Sequence, residues 1–513
     1  MHALRSLSAA LLAPVLALVF CSCTDRHASP GAASDPIQVQ LTSEPVSLDP
    51  ALAEDGISMQ VLGNVMDGLV GHDADGSVRP WLARSWSRSA DGLRYEFILR
   101  PGLLWSDGAA LTAAHVAEGI RRSLDPRTGS KMISLLDPVA SVEAGGGTVT
   151  VTLKRPAPYL PELMALSSAL PVRPDYLSAH GGKWGEDAPV TGPYRIVSHQ
   201  AEQEIRLEPN PRWWNASAAR PLRPILLRIV RDESTAVSLF EQGRLDVLMR
   251  VPSLDFPRLK ERGVLRVDPF LATYYLSFNA RKPPFNDREW RRAVAGAIRR
   301  DEIASVLGTG ELPARSWIPP GLEGHLPWAD PRPLFAGSVR KVREVLSKGR
   351  IPPVELGFDT SGRNTTLLEK VQADLRSALG LEVSLRNRDW KSHIRELAAD
   401  TPAIYRFGWL TPILDPITHL EVFTTGNPNN YSGWSNPSYD RLVREIAAMP
   451  AGPARASRIR AAQKILVEDE AAVVPIYHYV QVHAVSPRIA NYSVNAFGVT
   501  RFCDLSTRPA PAR

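Results

Sequence analysis

The chain has 513 residues, 44% of them hydrophobic and 22% charged, with a formal net charge of +6. That balance excludes a disordered chain and a polytopic membrane protein, and the length exceeds what one hydrophobic core organises, so about three domain-sized units are expected. The charges are interspersed, without the basic clusters of a nucleic-acid surface, so no nucleic-acid partner is expected.

The chain opens with Arg5, the apolar run LSAALLAPVLALVFCSC and the polar stretch TDRHASPGAASD. This is a secretory signal layout. The run is shorter than the ~20 residues of a membrane-spanning helix, it contains Pro14, and no comparable run follows. Its end, Phe20-Cys21-Ser22-Cys23, resembles a bacterial lipoprotein processing box, in which a small residue precedes a cysteine that becomes acylated. Cys23, preceded by Ser22, fits that pattern; Cys21 would place bulky Phe20 before the cut. Residues 1–22 are thus read as a lipoprotein signal peptide and 23–35 as a flexible tether. Cleavage removes one positive charge, giving +5, and leaves acylated Cys23 with Cys503, so no intramolecular disulfide is available. The expected location is lipid-anchored, on the periplasmic or cell-surface side of a bacterial membrane.

Beyond the tether, DPIQVQLTS alternates as a strand, and ISMQVLGNVMDGLVG places Ile57, Val61, Leu62, Val65, Met66 and Leu69 on one helical face. RYEFILR is a strand, Thr112 caps a helix through AAHVAEGIRRSL, SVEAGGGTVTVTLKRP forms two strands about a glycine turn, and PYLPELMALSS forms a short helix. GPYRIVSH, EIRLEP and ILLRIV are strands, followed by helix ESTAVSLFEQG and strand RLDVLMR. A second alternating series starts at strand TYYLSFN. It runs through helix DREWRRAVAGAIRRDEIASVL, strand PVELGFD, helix TTLLEKVQADLRSAL, strand LEVSLRN, helix DWKSHIRELAA and strand AIYRFGW. Two helices over about 435–470 and strand AVVPIYHYV complete it. Such alternation predicts an α/β fold with mixed sheets covered by helices, and two such blocks predict two lobes with a cleft between them.

Catalytic signatures are missing: the sequence holds no GxSxG, HExxH, GxxxxGK[ST] or CxxC motif and no GxGxxG after a strand. His478 and His483, five apart in strand-like sequence, fall on opposite faces and do not form a shared metal site. No enzyme, cofactor or metal is expected.

Several segments together carry a family resemblance. SEPVSLDPALAEDGISMQVLGNVMDGLVGHDADGSVRPWLARSWSRSADGLRYEFILRPGLLWSDGAALTAAHV is followed in order by TGPYRI, NPRWWN, TYYLSFNARKPPFNDREWRRAVAGAI, DWKSHI, YRFGW and YSGWSNPSYDRLV. The whole mature chain resembles the family 5 extracellular solute-binding proteins, the oligopeptide and dipeptide receptors of ATP-driven importers. The resemblance implies a bilobal periplasmic-binding-protein-like fold with a hinged cleft and an extra inserted domain. One lobe takes 36–55, 180–275 and 480–513, the insertion 56–179, and the second lobe 276–479, with crossings near 275 and 480. It also implies a monomer whose partners are a peptide or peptide-like ligand and the permease subunits of an ABC importer.

Candidate ligand-binding residues follow from the matched motifs. Arg406 matches a position that meets a ligand carboxylate; the alternative is a structural ion pair. Trp390 and Trp409 match aromatics that cover the ligand, against the alternative of core packing, and Gly408 lies between Phe407 and Trp409 in the same segment. Tyr274 and Tyr275 match tyrosines of a hinge strand, and alternation turns one of them to the cleft. Glu44 belongs to a segment whose backbone lines the cleft floor, with a side chain that is otherwise solvated. Trp105-Ser106-Asp107-Gly108 and Trp213-Trp214-Asn215 read as fold determinants.

One departure bears on the ligand. In oligopeptide binders the aspartate that pairs with the peptide's α-ammonium group lies three residues after the tryptophan of the GW-type segment, where this chain has Pro412. Asp415 matches a different position. A buried ammonium group without a carboxylate costs several kcal/mol, so the ligand lacks a free amine, binds in another register or is no ordinary peptide. Oligosaccharides, opine-like compounds, modified peptides and metal chelates remain alternatives within the fold; a sensory adaptor or an exported hydrolase are alternatives outside it.

Overall fold

In a computed structural model the described residues are 35–73, 76–217, 221–349, 353–360 and 363–508. The segment expected to be a signal peptide, the expected anchor Cys23 and nearly all of the expected tether lie outside the described residues. Among the described residues no helix is long and apolar enough to cross a membrane.

Local signals in the sequence produce many of the elements. Asp55 accepts the N–H groups of Ile57 and Ser58 and starts the helix Gly56–Val65. Asp389 accepts from the N–H of Ser392 and starts Trp390–Ala399. The glycine-turned hairpin is present as Val139–Gly145 and Thr148–Leu153, with Gly146 and Gly147 at positive φ, where a side chain would be strained. With Ala83–Arg88 and Arg94–Leu99 it forms a four-stranded antiparallel sheet. The helix Ala113–Leu124 belongs to the same region, with Val116 and Ile120 fully buried.

The main sheet is mixed and has eleven strands. Two long strands, Leu265–Phe278 and Val473–Val485, run antiparallel through its middle. On one side lie Val247–Leu248, Ile37–Leu41, Ile225–Ile229, Glu204–Pro209 and Tyr194–Gln200; on the other lie Ile404–Leu410, Val354–Asp359 and Val383–Arg388. Ile37–Leu41 pairs in parallel with Ile225–Ile229, whereas Ile404–Leu410 pairs antiparallel with the second half of Leu265–Phe278. The short strand Leu312–Pro313 adds to Val473–Val485.

The ladder between the long strands is interrupted. Leu265 to Pro269 pair with Ala484 to Val480, the register then shifts, and pairing resumes from Thr273 opposite His478. This break leaves 270–272 opposite Tyr479, and a second register shift falls between Tyr274 and Tyr275.

Several sequence expectations need correction. The first helix ends at Val65, and Met66 is already extended, because Met66 and Leu69 bury themselves in the turn toward Val70–His72 instead of on a helical face. The single helix expected over 287–307 is two, Arg288–Ala297 and Arg300–Leu307. Buried polar partners stabilise the break: the Asp374 carboxylate accepts from the Arg299 N–H and guanidinium, both at 3.0 Å, and buried Arg300 donates to the carbonyls of Pro475 (2.6 Å) and Ala295 (3.0 Å). The strand expected in RLDVLMR shrinks to Val247–Leu248. A seventeen-residue helix, Arg332–Lys348, was not anticipated. It lies so close to Arg288–Ala297 that a Cβ on Gly296 would meet the Phe335 side chain at 2.6 Å.

Candidate ligand-binding cleft

Where the long strands change register, they form the floor of a cavity of about 680 Å³. Tyr477 and Tyr479 to His483 line it from one strand, and Phe270 from the other. One wall comes from Leu41, Thr42 and the segment 249–253, and the opposite wall from Leu307, Thr309, Glu311, Arg363 and Arg406. A smaller pocket of about 240 Å³ adjoins it through the shared residues Phe270, Arg406 and Tyr479, and is completed by Ala272, Trp390, Gly408, Trp409 and Leu410. The parts are far apart in sequence, and the sheet order alone brings them together.

Arg406 occupies the junction. Its Nη1 pairs with Asp359, its Nη2 donates to the Tyr479 hydroxyl at 3.0 Å, and its guanidinium lies 4.5 Å from the centre of the Tyr274 ring. Both members of the Arg406–Asp359 pair are buried, so each removes the penalty the other would incur alone. The structural ion pair therefore exists, yet Arg406 still reaches the cavity wall; its Nε has no hydrogen-bond partner among the described residues. Trp409 Nε1 is likewise buried without a partner there. Behind them His393 donates from Nε2 to the Arg406 carbonyl at 3.0 Å, and burial lowers its pKa.

The remaining candidates divide. Trp390 is half exposed and stacks on Phe407, with ring centres 5.6 Å apart, so it presents a face to the smaller pocket and does not belong to the core. Gly408 keeps the strand close to Tyr479, whose hydroxyl would lie 3.2 Å from an added Cβ.

Neither Tyr274 nor Tyr275 lines the cavity, whereas alternation was expected to turn one of them to the cleft. Tyr274 is buried beneath Arg406 and stacks on Tyr477 with ring centres 4.8 Å apart, while Tyr275 packs against Trp317, Phe407 and Phe423. Alternation does send them to opposite faces, but both faces are covered there.

Glu44 is corrected too: its carboxylate pairs with His199 and accepts the Glu202 N–H at 2.8 Å, whereas Leu41 and Thr42 supply the wall. Asp415 accepts from Arg455 at 2.6 and 2.9 Å and caps the following helix through the Ile417 N–H, a structural role.

Sequence reasoning passed over Tyr477, Tyr479, Glu311 and Arg363. The alternation of Tyr477, Tyr479 and Gln481 within one strand was a readable sign of a shared face. His483, also on the floor, is held by burial at a pKa of about 4 and is neutral at pH 7; its Nδ1 lies 2.9 Å from the Tyr492 hydroxyl. His478, the other half of the rejected metal pair, faces Thr273 Oγ1 at 3.0 Å. Trp105 is fully buried, and Trp213 and Trp214 both donate to Asp67 at 2.7 Å, which matches their reading as fold determinants.

A bilobal α/β body whose long strands floor a polar and aromatic cleft defines a solute receptor of the periplasmic-binding-protein type. The chain belongs to the bacterial extracellular solute-binding proteins, family 5, whose model matches residues 77–431. It is 28% identical over 481 residues to the oligopeptide-binding protein OppA of Bacillus subtilis, covering 86% of this chain and 87% of that protein. It is 27% identical over 488 residues to the probable deoxycholate-binding periplasmic protein YgiS of Escherichia coli, covering 88% and 90%. The fold superposes on the murein tripeptide-binding protein MppA in its unliganded open form with a TM-score of 0.81 and 26% identity, covering 92% of this chain and 97% of that one. Such near-equal identities to peptide and non-peptide binders leave the choice of ligand to the cleft itself.

Proposed function

We propose that this protein is the receptor of an ABC importer, capturing oligopeptides or related solutes outside the cytoplasmic membrane and delivering them to the permease. It works as a monomer, without catalytic turnover, on an acyl chain attached at Cys23. The observation that carries the peptide reading is Arg406, which lines both adjoining pockets beside Trp390 and Trp409. Because Asp359 already balances the Arg406 charge, the guanidinium offers a directed hydrogen bond, suited to a backbone carbonyl or one carboxylate oxygen. Trp390 offers an apolar face beside it.

Movement follows the same layout. With lobes of 36–55, 180–275 and 480–513 against 276–479, and an insertion at 56–179, the proposed crossings lie beside the register shifts at Pro269/Thr273 and Tyr274/Tyr275. Bending there breaks few hydrogen bonds, and a ligand touching both walls selects the closed form.

The test is native mass spectrometry on a form starting after Cys23, exposed to a mixed peptide pool. Retained peptides are expected. A folded protein that retains none would transfer the reading to a non-peptide or amine-blocked solute, the alternative that Pro412 favours.

A further inference from the structure

Pro412 removes one carboxylate from the cleft, and the cavity contains another. Among the described residues lining the two adjoining pockets, Glu311 is the one that bears a carboxylate, against the guanidinium groups of Arg250, Arg363 and Arg406. We infer that Glu311 receives the ammonium group of the ligand, an inference that rests on the peptide reading above and specifies which end of the ligand lies where.

The site is built around the carboxylate. Oε1 accepts from Arg363 Nη2 at 2.8 Å and from the Thr309 hydroxyl at 2.6 Å, whereas Oε2 accepts, among the described residues, the Thr309 N–H alone at 3.2 Å. An ionised carboxylate has about four acceptor positions, so Oε2 keeps capacity for a further donor. Arg363 is fixed in turn by the Leu307 carbonyl and the Thr309 hydroxyl, which holds Glu311 in place. The Glu311 side chain is 10% exposed, so a further donor reaching Oε2 is largely shielded from water.

Position supports the assignment. Leu312 pairs with His478 and Pro313 with Tyr477; continuing that antiparallel register by one residue brings Glu311 opposite Tyr479. The Tyr479 hydroxyl is also the partner of Arg406 Nη2. The cleft is thus polarised about Tyr479, with an acceptor for a cation at Glu311 and donors for an anion or carbonyl at Arg406 and Trp409. A zwitterionic, amine-bearing ligand matches that order, with its ammonium group at Glu311 and its first carbonyls toward Arg406.

The experiment compares the wild type with Glu311→Gln, using three synthetic tripeptide pools read by native mass spectrometry: lysine- and arginine-free with free N-termini, the same pool N-acetylated, and an N-acetylated pool with one lysine. The wild type is expected to prefer the free-amine pool, and Glu311→Gln to lose that preference by about thirtyfold, the lower end of the cost of truncating one member of a buried charge pair. Glu311→Asp, which keeps the charge, should restore part of it, and thermal melting separates lost binding from lost folding. If the lysine pool alone responds to Glu311→Gln, the ammonium group comes from a side chain. If a folded Glu311→Gln protein keeps the wild-type preference, the inference is overturned while the peptide reading stands. A wild type that takes up nothing from any pool overturns both.

Discussion

The two halves of one strand differ sharply in burial. In Leu265–Phe278, residues 265–270 are exposed or half-buried, while 271–278 are all buried. The partner Val473–Val485 shows the same division, with 473–478 buried and 479–482 half-buried before burial returns at His483. The buried halves have cover on both faces, whereas the open stretch borders the cavity. One continuous pair of strands therefore supplies both a rigid core and a ligand floor, with the register break between them. Residues that resemble binding groups by motif, such as Tyr275, stabilise the fold when they fall on the buried side of that break.

The largest test of this division is Tyr275→Ala, which empties a site walled by Trp317, Phe407 and Phe423. It is expected to cost about 4 kcal/mol in chemical denaturation. On the open half, Val267→Ala should change stability by less than about 0.5 kcal/mol. Similar losses at both positions would end the comparison.

Asp359→Ala is expected to cost about 3 kcal/mol, because it leaves the Arg406 guanidinium buried and without its carboxylate. Asp359→Ala combined with Arg406→Met should recover most of that stability while abolishing peptide retention. Recovery of stability with binding intact would show that Arg406 serves the fold alone.

His483 sharpens the boundary where burial returns. Its pKa is about 4 in the folded protein, against about 6.5 when unfolded. Between these values the unfolded chain binds more protons. The stability that rests on a neutral His483 is therefore complete above about pH 6.5 and lost as pH falls toward 4, amounting to about 2 kcal/mol at pH 5. Urea denaturation of His483→Gln should show a shallower loss than the wild type between pH 7 and 5. Parallel curves would place His483 in an open, hydrated setting.

At the cleft surface a substitution should affect binding more than stability. Trp390→Ala should shift stability by less than about 1 kcal/mol, since the ring is half exposed, yet weaken a retained peptide about tenfold by calorimetry. Unchanged affinity would remove Trp390 from the ligand surface.

Much of the architecture was legible because it rests on local signals. Aspartate caps, the glycine-turned hairpin and alternating strands are encoded within a few residues, and the expected elements recur at 113–124, 139–153, 354–359, 390–399 and 404–410. The break in the helix over 287–307 was not legible, since it depends on Asp374 and the Pro475 carbonyl, which are remote in sequence. The cleft was legible in part. Arg406, Gly408, Trp390 and Trp409 do line it, whereas Glu44 is occupied by His199, and Glu311 carried no motif that marked it.

The sequence by itself determined the family, the α/β alternation, the lack of a recognised catalytic motif and a proline three residues after Trp409, because each is a property of short segments and their order. Only the tertiary structure decided which charges meet. Asp359 neutralises Arg406, and Glu311 is clasped by Arg363, through a sheet that brings strands from opposite ends of the chain side by side. A carboxylate's role depends on burial and on the nearest guanidinium or hydroxyl, and those are set by packing across the sheet, not by neighbours along the chain.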